Sequence, residues 1–329
     1  MPAARITKVG CIDLFFELCE AKAYSSSTQF FMAFQDLLTT TLPIHALGNY
    51  WYPTVQVDVF RADLLHPVIS GNKLYKLQFY LKDAIDQGYS TVATFGGAYS
   101  NHIVATAFAA KELGLSAIGI TRGEQPAMLS QTLQDAISYG MNLQFVSREQ
   151  YRKATQSIEQ SNSYYWIPEG GYGINGANGA VTMLASIDTS AYTHIVAACG
   201  TGTMLAGLLQ AALPHQTVIG ICVLKGYEGL AADIRKLLPQ HLQHIDINLC
   251  HDFHFGGYAK HPPELLHFMH QIWHQYHLPT DIVYTAKLVF ACKTLSEQQF
   301  FPAGSKVLLI HSGGLQGNRS IAKGVLPFL

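Results

Sequence analysis

The chain has 329 residues, 49% of them hydrophobic and 13% charged, with a formal net charge of -1. That is ample material for a large core or two domains, and it excludes a disordered chain. The near-neutral balance lacks the basic footprint that a nucleic-acid or anionic-membrane partner would leave.

Six cysteines are scattered with no CxxC pair, which reads as reduced thiols. No apolar run reaches membrane-spanning length. The expectation is a soluble cytoplasmic protein. Residues 1–40 hold a Ser25-Ser26-Ser27-Thr28 run and no clear period. Their apolar stretch is broken by Asp13 and Glu17, a poor signal peptide. Residues 1–40 are expected to be an N-terminal extension, and one hypothesis puts the natural start at Met32, which would make the leader before it non-native. The competing reading is a genuine, loosely packed arm, and N-terminal sequencing separates the two.

Next comes Ser70-Gly71-Asn72-Lys73-Leu74-Tyr75-Lys76-Leu77. Lys73 follows a Gly-Asn pair and opens an expected helix. An uncharged lysine amine can anchor an aldehyde cofactor, and burial lowers a lysine pKa enough to free that amine. The plainer reading is a surface lysine in a helix first turn.

From about Tyr89 the chain alternates. Strands are expected over 90–95, 116–121 and 142–146, and helices over 101–113 and 129–139, ended by Gly114 and Gly140. This is the signature of a parallel sheet with buried strands. The Gly-rich stretch Pro168 to Gly179 reads as the crossing to a second series. That series has strands over 194–198 and 218–224, a helix over 204–213 and a last strand over 306–311.

Two strand ends carry chemistry. Cys199-Gly200-Thr201-Gly202-Thr203 lies between a strand and a helix. Its glycines let N–H groups approach an anion, and the helix N-terminus adds partial positive charge. It is either a cup for a single phosphate or a tight structural turn. It is neither GxGxxG nor a Walker A loop. Gly96-Gly97-Ala98-Tyr99-Ser100-Asn101-His102 is the other. Ser100 reads as a helix N-cap or as a holder of a substrate carboxylate. This position, past the carboxyl end of a strand, is where open α/β sheets bind ligands.

His267, His270, His274 and His277 form one stripe on an expected helix over 263–278, read as a solvent-facing or interface stripe and not a metal site. No G-x-S-x-G elbow supports a hydrolase. A dinucleotide-binding dehydrogenase lacks its glycine fingerprint and ribose-binding acid.

Taken together, the runs resemble one family: the fold-type II pyridoxal-phosphate enzymes of the 1-aminocyclopropane-1-carboxylate deaminase and D-cysteine desulfhydrase group. The resemblance extends from about Pro43 to the end. It includes Arg61-Ala62-Asp63, the Gly-Asn-Lys and Ser-Asn-His segments, and Ile167-Pro168-Glu169-Gly170-Gly171. It continues through the Gly-Thr-Gly-Thr loop, His254-Phe255-Gly256-Gly257-Tyr258, Val283-Tyr284-Thr285 and Ile310-His311-Ser312-Gly313-Gly314.

The resemblance implies two open, twisted, mainly parallel sheets flanked by helices, with pyridoxal 5'-phosphate in the cleft between domains. It implies a large domain of 41–76 plus 174–329, a small inserted domain of 77–173, and a homodimer. Lys73 would be the Schiff-base lysine and Lys76 would help hold the phosphate, with Cys199, Gly200, Thr201, Gly202 and Thr203 cupping it. Asn101 would bond the cofactor ring oxygen. Ser100, Tyr258 and Tyr284 would face the substrate, and Ser312 and Thr285 would lie at the pyridine nitrogen.

Two positions depart from the pattern. Tyr75 stands where the family usually has arginine, and Thr285 stands where the deaminases carry glutamate. Neutral hydroxyls at the pyridine nitrogen make a weaker electron sink than a carboxylate would. That favours expulsion of a β-leaving group over cyclopropane opening. The implied function is a lyase acting on a small amino acid such as D-cysteine. The alternatives are 1-aminocyclopropane-1-carboxylate deamination and a pyridoxal-phosphate binder without efficient turnover.

Overall fold

The computed structural model describes residues 36–156 and 163–328. The proposed start at Met32, and the N-terminal extension up to residue 35, lie outside them. The described strands form two sheets. The first joins β1 (Ile44–Gly48), β2 (Gln56–Phe60), β10 (Lys306–Ile310), β7 (His194–Cys199), β8 (Thr217–Cys222) and β9 (Asn248–Cys250), in that spatial order. Only the β1–β2 pair is antiparallel. The second is fully parallel and joins β5 (Met141–Val146), β4 (Ser116–Arg122), β3 (Thr91–Gly96) and β6 (Tyr165–Ile167). Two mainly parallel sheets with flanking helices were expected, and they are found.

The strands are apolar on both faces because both faces are covered. Along β10, Leu308 and Ile310 point into a core between the two sheets, while Val307 and Leu309 point the other way. The central core is built from four helices: α1 (Asn72–Asp86), α2 (Asn101–Glu112), α5 (Ile174–Ala185) and α6 (Thr203–Ala211). Leu74, Ile103, Met183 and Leu205 from these helices join Val92 of one sheet and Ile195 of the other in one cluster. Outside the first sheet lie α8 (Pro263–Tyr276) and α9 (Thr285–Glu297). Outside the second lies α4 (Arg148–Gln156), whose Tyr151 packs on Phe95. The small helices α3 (Gln131–Ser138) and α7 (Leu230–Arg235) complete the set.

The Gly-rich stretch after Pro168 is more than a crossing. After a short turn at Glu169–Gly171 it becomes helix α5. Its glycines serve helix packing. A Cβ on Gly179 would sit 1.8 Å from the Tyr75 carbonyl oxygen on α1. On α6, a Cβ at Gly207 would sit 2.4 Å from the carbonyl of Ala177. Tyr75 itself is fully buried, so the position usually held by arginine is a packing position here.

On α8 the apolar face (Leu265, Phe268, Met269, Ile272) is buried. His267, His274 and His277 are exposed, and His270 makes a 2.6 Å bond to the Val325 carbonyl. The stripe therefore faces solvent. No helix among the described residues is long and apolar enough to cross a membrane.

Candidate active site

The carboxyl ends of β3, β7 and β10 and the heads of α1, α2 and α6 converge on a cavity of about 450 Å³. Lys73 enters it from the first turn of α1. The helix can begin there because Gly71 adopts φ +63° and lacks a side chain; a Cβ would lie 1.9 Å from the Ser312 carbonyl oxygen. The head of α1 thus rests on the end of β10, and the Asn72 N–H donates to that carbonyl at 3.2 Å. The Asn72 side chain turns the other way, its Nδ2 on Met204 Sδ, and its Oδ1 accepts from Lys73 Nζ at 2.6 Å. Burial pulls the Lys73 amine down to about 8, against the attraction of Asp281. Lys76, one turn on, donates to the Gly170 carbonyl at 3.2 Å. Burial and then the neighbouring Lys73 hold its amine well below the usual lysine range.

On the same cavity, β7 runs out into the glycine loop. Gly202 is left-handed (φ +79°) at the N-cap of α6, and no side chain caps this helix. Backbone N–H groups at a helix start are donors for an anion. Gly200, Thr201 and Gly202 line the cavity, as does Cys199, whose thiol burial pushes up. Thr203 does not line it. Its side chain is fully buried, with its hydroxyl 3.0 Å from that of Thr201.

Ser100 holds both of its expected roles open. Its Oγ accepts from the Ile103 N–H as the α2 N-cap, and it also lines the cavity. Beside it, Asn101 donates weakly to the Gly314 carbonyl at 3.4 Å, and its Oδ1 is buried without a hydrogen-bond partner. Tyr258 and Tyr284 meet edge to face, ring centres 6.4 Å apart. Burial, then Tyr258 and Asp281, push the Tyr284 phenol well above its usual range. Ser312 lines the cavity beside the head of α1.

Under Ser312 lies a buried network. Arg61 grips Asp63 with two bonds of 2.8 and 2.7 Å. His311 Nδ1 stands 3.2 Å from the same carboxylate, and its Nε2 is 2.8 Å from the Pro279 carbonyl. This fixes the turn that carries Ser312.

Thr285 is a correction. The expectation put its hydroxyl at the ring nitrogen. It is fully buried and absent from the cavity wall, and it donates to Asp281 Oδ1 at 2.7 Å while accepting from the Asp281 N–H at 2.6 Å. A carboxylate lies near instead. Asp281 is fully buried, and a Cβ on cavity-lining Gly314 would be 3.4 Å from its Cγ. Its oxygens also accept the N–H groups of Val283, Tyr284 and Thr285, so it organises the first turn of α9. Nothing in the sequence around Asp281 marks it as a site residue. His102, in the Ser-Asn-His segment, also lines the cavity. Burial, then Lys73 and Lys76, bring that imidazole down to about 3, so it is neutral.

The group fits these residues. A phosphate-bearing aldehyde needs an amine that loses its proton easily, uncapped N–H donors for the phosphate, and polar contacts for its ring. Lys73, the head of α6 and the amide of Asn101, whose Oδ1 has no partner and whose Nδ2 makes only a 3.4 Å bond, supply groups of those three kinds around one cavity. Comparison with known proteins agrees. A protein of Pyrococcus abyssi, provisionally named a 1-aminocyclopropane-1-carboxylate deaminase, is 31% identical over 80% of this chain and 86% of its own. The D-cysteine desulfhydrase of Yersinia enterocolitica is 27% identical over 85% and 93%. The crystal structure of an ACC deaminase homologue superposes with a TM-score of 0.75 at 27% identity, covering 91% of this chain and 99% of that one. The family model described as "Pyridoxal-phosphate dependent enzyme" matches residues 54–313. The chain belongs to that family of pyridoxal-phosphate dependent enzymes.

Proposed function

We propose that this enzyme is a lyase that carries out α,β-elimination on a small amino acid, D-cysteine or a related β-substituted one. The products are pyruvate, ammonia and the leaving group, which is sulfide for D-cysteine. The observation that carries the reading is Lys73, its amine brought down to about 8, sharing one cavity of about 450 Å³ with an uncapped helix head. Pyridoxal 5'-phosphate, when bound, would supply an electron sink for the substrate Cα. Lys73 would hold it through Nζ, and the same amine is placed to carry the Cα proton. The loop Gly200 to Gly202 with the head of α6 takes the phosphate. Ser100 and the N–H groups at the head of α2 would hold the substrate carboxylate, Tyr258 and Tyr284 would close the substrate side, and Ser312 would offer its hydroxyl to the ring nitrogen.

Two relatives' names point to two substrates, and one observation bears on each. Ser312 is the hydroxyl left for the ring nitrogen, which supports elimination. Asp281 supports the second reading, 1-aminocyclopropane-1-carboxylate deamination, because it places a carboxylate just behind the cavity wall at Gly314. Four donors already claim its oxygens, and this leaves elimination the better reading. The reading also takes 77–173 as the small unit facing the large one, and the working form as a cytoplasmic homodimer. The cysteines among the described residues are free, which suits a reducing compartment.

A pyruvate-release screen over D- and L-amino acids tests the function. The expected result is pyruvate from D-cysteine or another β-substituted amino acid, well ahead of 2-oxobutanoate from 1-aminocyclopropane-1-carboxylate. The cyclopropane as best substrate would reject elimination. No 2-oxo acid from any of them would reject the enzyme in favour of a binder.

A further inference from the structure

Lys287 is a fully buried lysine outside the cavity wall, and none of the roles above uses it. It stands in the first turn of α9, three residues after Tyr284. Its Nζ donates to the carbonyls of His254 and Gly257, at 2.9 and 2.7 Å. Both carbonyls belong to the loop between β9 and α8 that carries Tyr258.

That loop is conformationally demanding. Phe255, Gly256, Gly257 and Ala259 all have φ between +51° and +121°. Phe255 and Ala259 adopt there a region that side chains rarely enter. Such a backbone persists when its surroundings fix it. The two carbonyls do not need Lys287 to be satisfied. His254 O already accepts the Gly257 N–H, and Gly257 O accepts the Lys260 N–H. Burying an ammonium is costly, and no carboxylate lies within ion-pair distance of this one among the described residues. An apolar side chain of the same length would fill the space without that cost. What the lysine adds is a fixed point. Three donors and no acceptor suit a group that must hold two carbonyls at once.

We propose that Lys287 is a positioning residue for Tyr258: it ties the Tyr258 loop to the helix turn that Asp281 caps and Tyr284 precedes, so the two cavity tyrosines are held as one unit. This rests on the reading of Tyr258 as a substrate-side residue. Phe255 adds an apolar strap, its ring 4.8 Å from that of Phe290 on the same helix. That strap, and the carbonyls' other bonds, do not depend on the lysine.

The test is hydrogen–deuterium exchange over residues 251–260, combined with a kinetic double-mutant cycle. Lys287→Met should keep the bound cofactor's colour. It should speed exchange at Gly257 and Lys260 by about tenfold, the scale of one charge-assisted bond, and raise KM more than it lowers kcat. In a Tyr258→Phe background, adding Lys287→Met should change kcat/KM by less than about twofold, since coupled positions are not additive. Lys287→Gln, which keeps two donors, should fall between the methionine variant and the native protein. It carries the test alone if the methionine variant does not fold. Unchanged exchange, or a loss that multiplies in full with Tyr258→Phe, would overturn the proposal. Exchange needs no substrate, so the two failures read separately. A loosened loop with a normal Tyr258→Phe enzyme overturns the role of Tyr258, whereas a rigid loop overturns Lys287.

Discussion

At Thr285 a hydroxyl that sequence alone would aim at a cofactor is spent on the backbone. It closes a ring with Asp281, whose carboxylate also takes the N–H groups of residues 283 to 285. The substitution that should convert elimination into cyclopropane opening therefore does something else. Thr285→Glu would place a second buried carboxylate against Asp281, and like charges confined together are strongly unfavourable. The expected outcome is a loss of about 3 kcal/mol or more in urea unfolding, with no gain in 2-oxobutanoate. A stable variant with raised cyclopropane deamination would show that the side chain reaches the ring after all. Ser100, Asn101 and the glycine loop were legible because strand–glycine–helix junctions show in the sequence. Asp281 and Lys287 were not, because their meaning lies in burial and in donors and acceptors from distant loops.

Among the elements, α5 shows how a helix can hide in a sequence. Gly170, Gly171, Gly173, Gly176 and Gly179 read as loop punctuation. The last two sit inside a helix, where they let backbones approach. Gly179 lies on α1 directly at Tyr75, and this contact fixes the helix that carries Lys73 and Lys76. Gly179→Ala should cost at least about 3 kcal/mol, since overpacking usually costs 1–3 and the obstacle here is backbone. Urea midpoints check this, and a variant as stable as the native protein would mean that α1 and α5 slide freely. The strands and helices from Thr91 to Val146 were readable because apolar runs alternate with glycine-ended helices. The strands β1 and β2 were not: they are five residues each, precede the repeating series, and pair antiparallel to one another. Strand β9, of three residues, carries too little pattern to be seen.

Over the whole molecule, two sheets deliver their carboxyl ends to one cavity, the expected place for a ligand in open α/β sheets. The helices α1, α2, α5 and α6 form the common core between the sheets, so Lys73 on α1 and Ser100 at the head of α2 are set by the same packing. The order of βαβ units made this architecture readable. The depth of the cavity, and the direction in which each lysine points, were not readable, because both depend on Gly71 meeting the end of β10. Two cavity-lining lysines, Lys73 and Lys76, compete for one assignment. Borohydride reduction of the cofactor-loaded protein, followed by peptide mapping, separates them. The phosphopyridoxyl group should be found on Lys73, and Lys73→Ala should abolish both the label and turnover. A label on Lys76, or on a lysine outside the cavity, would contradict the account.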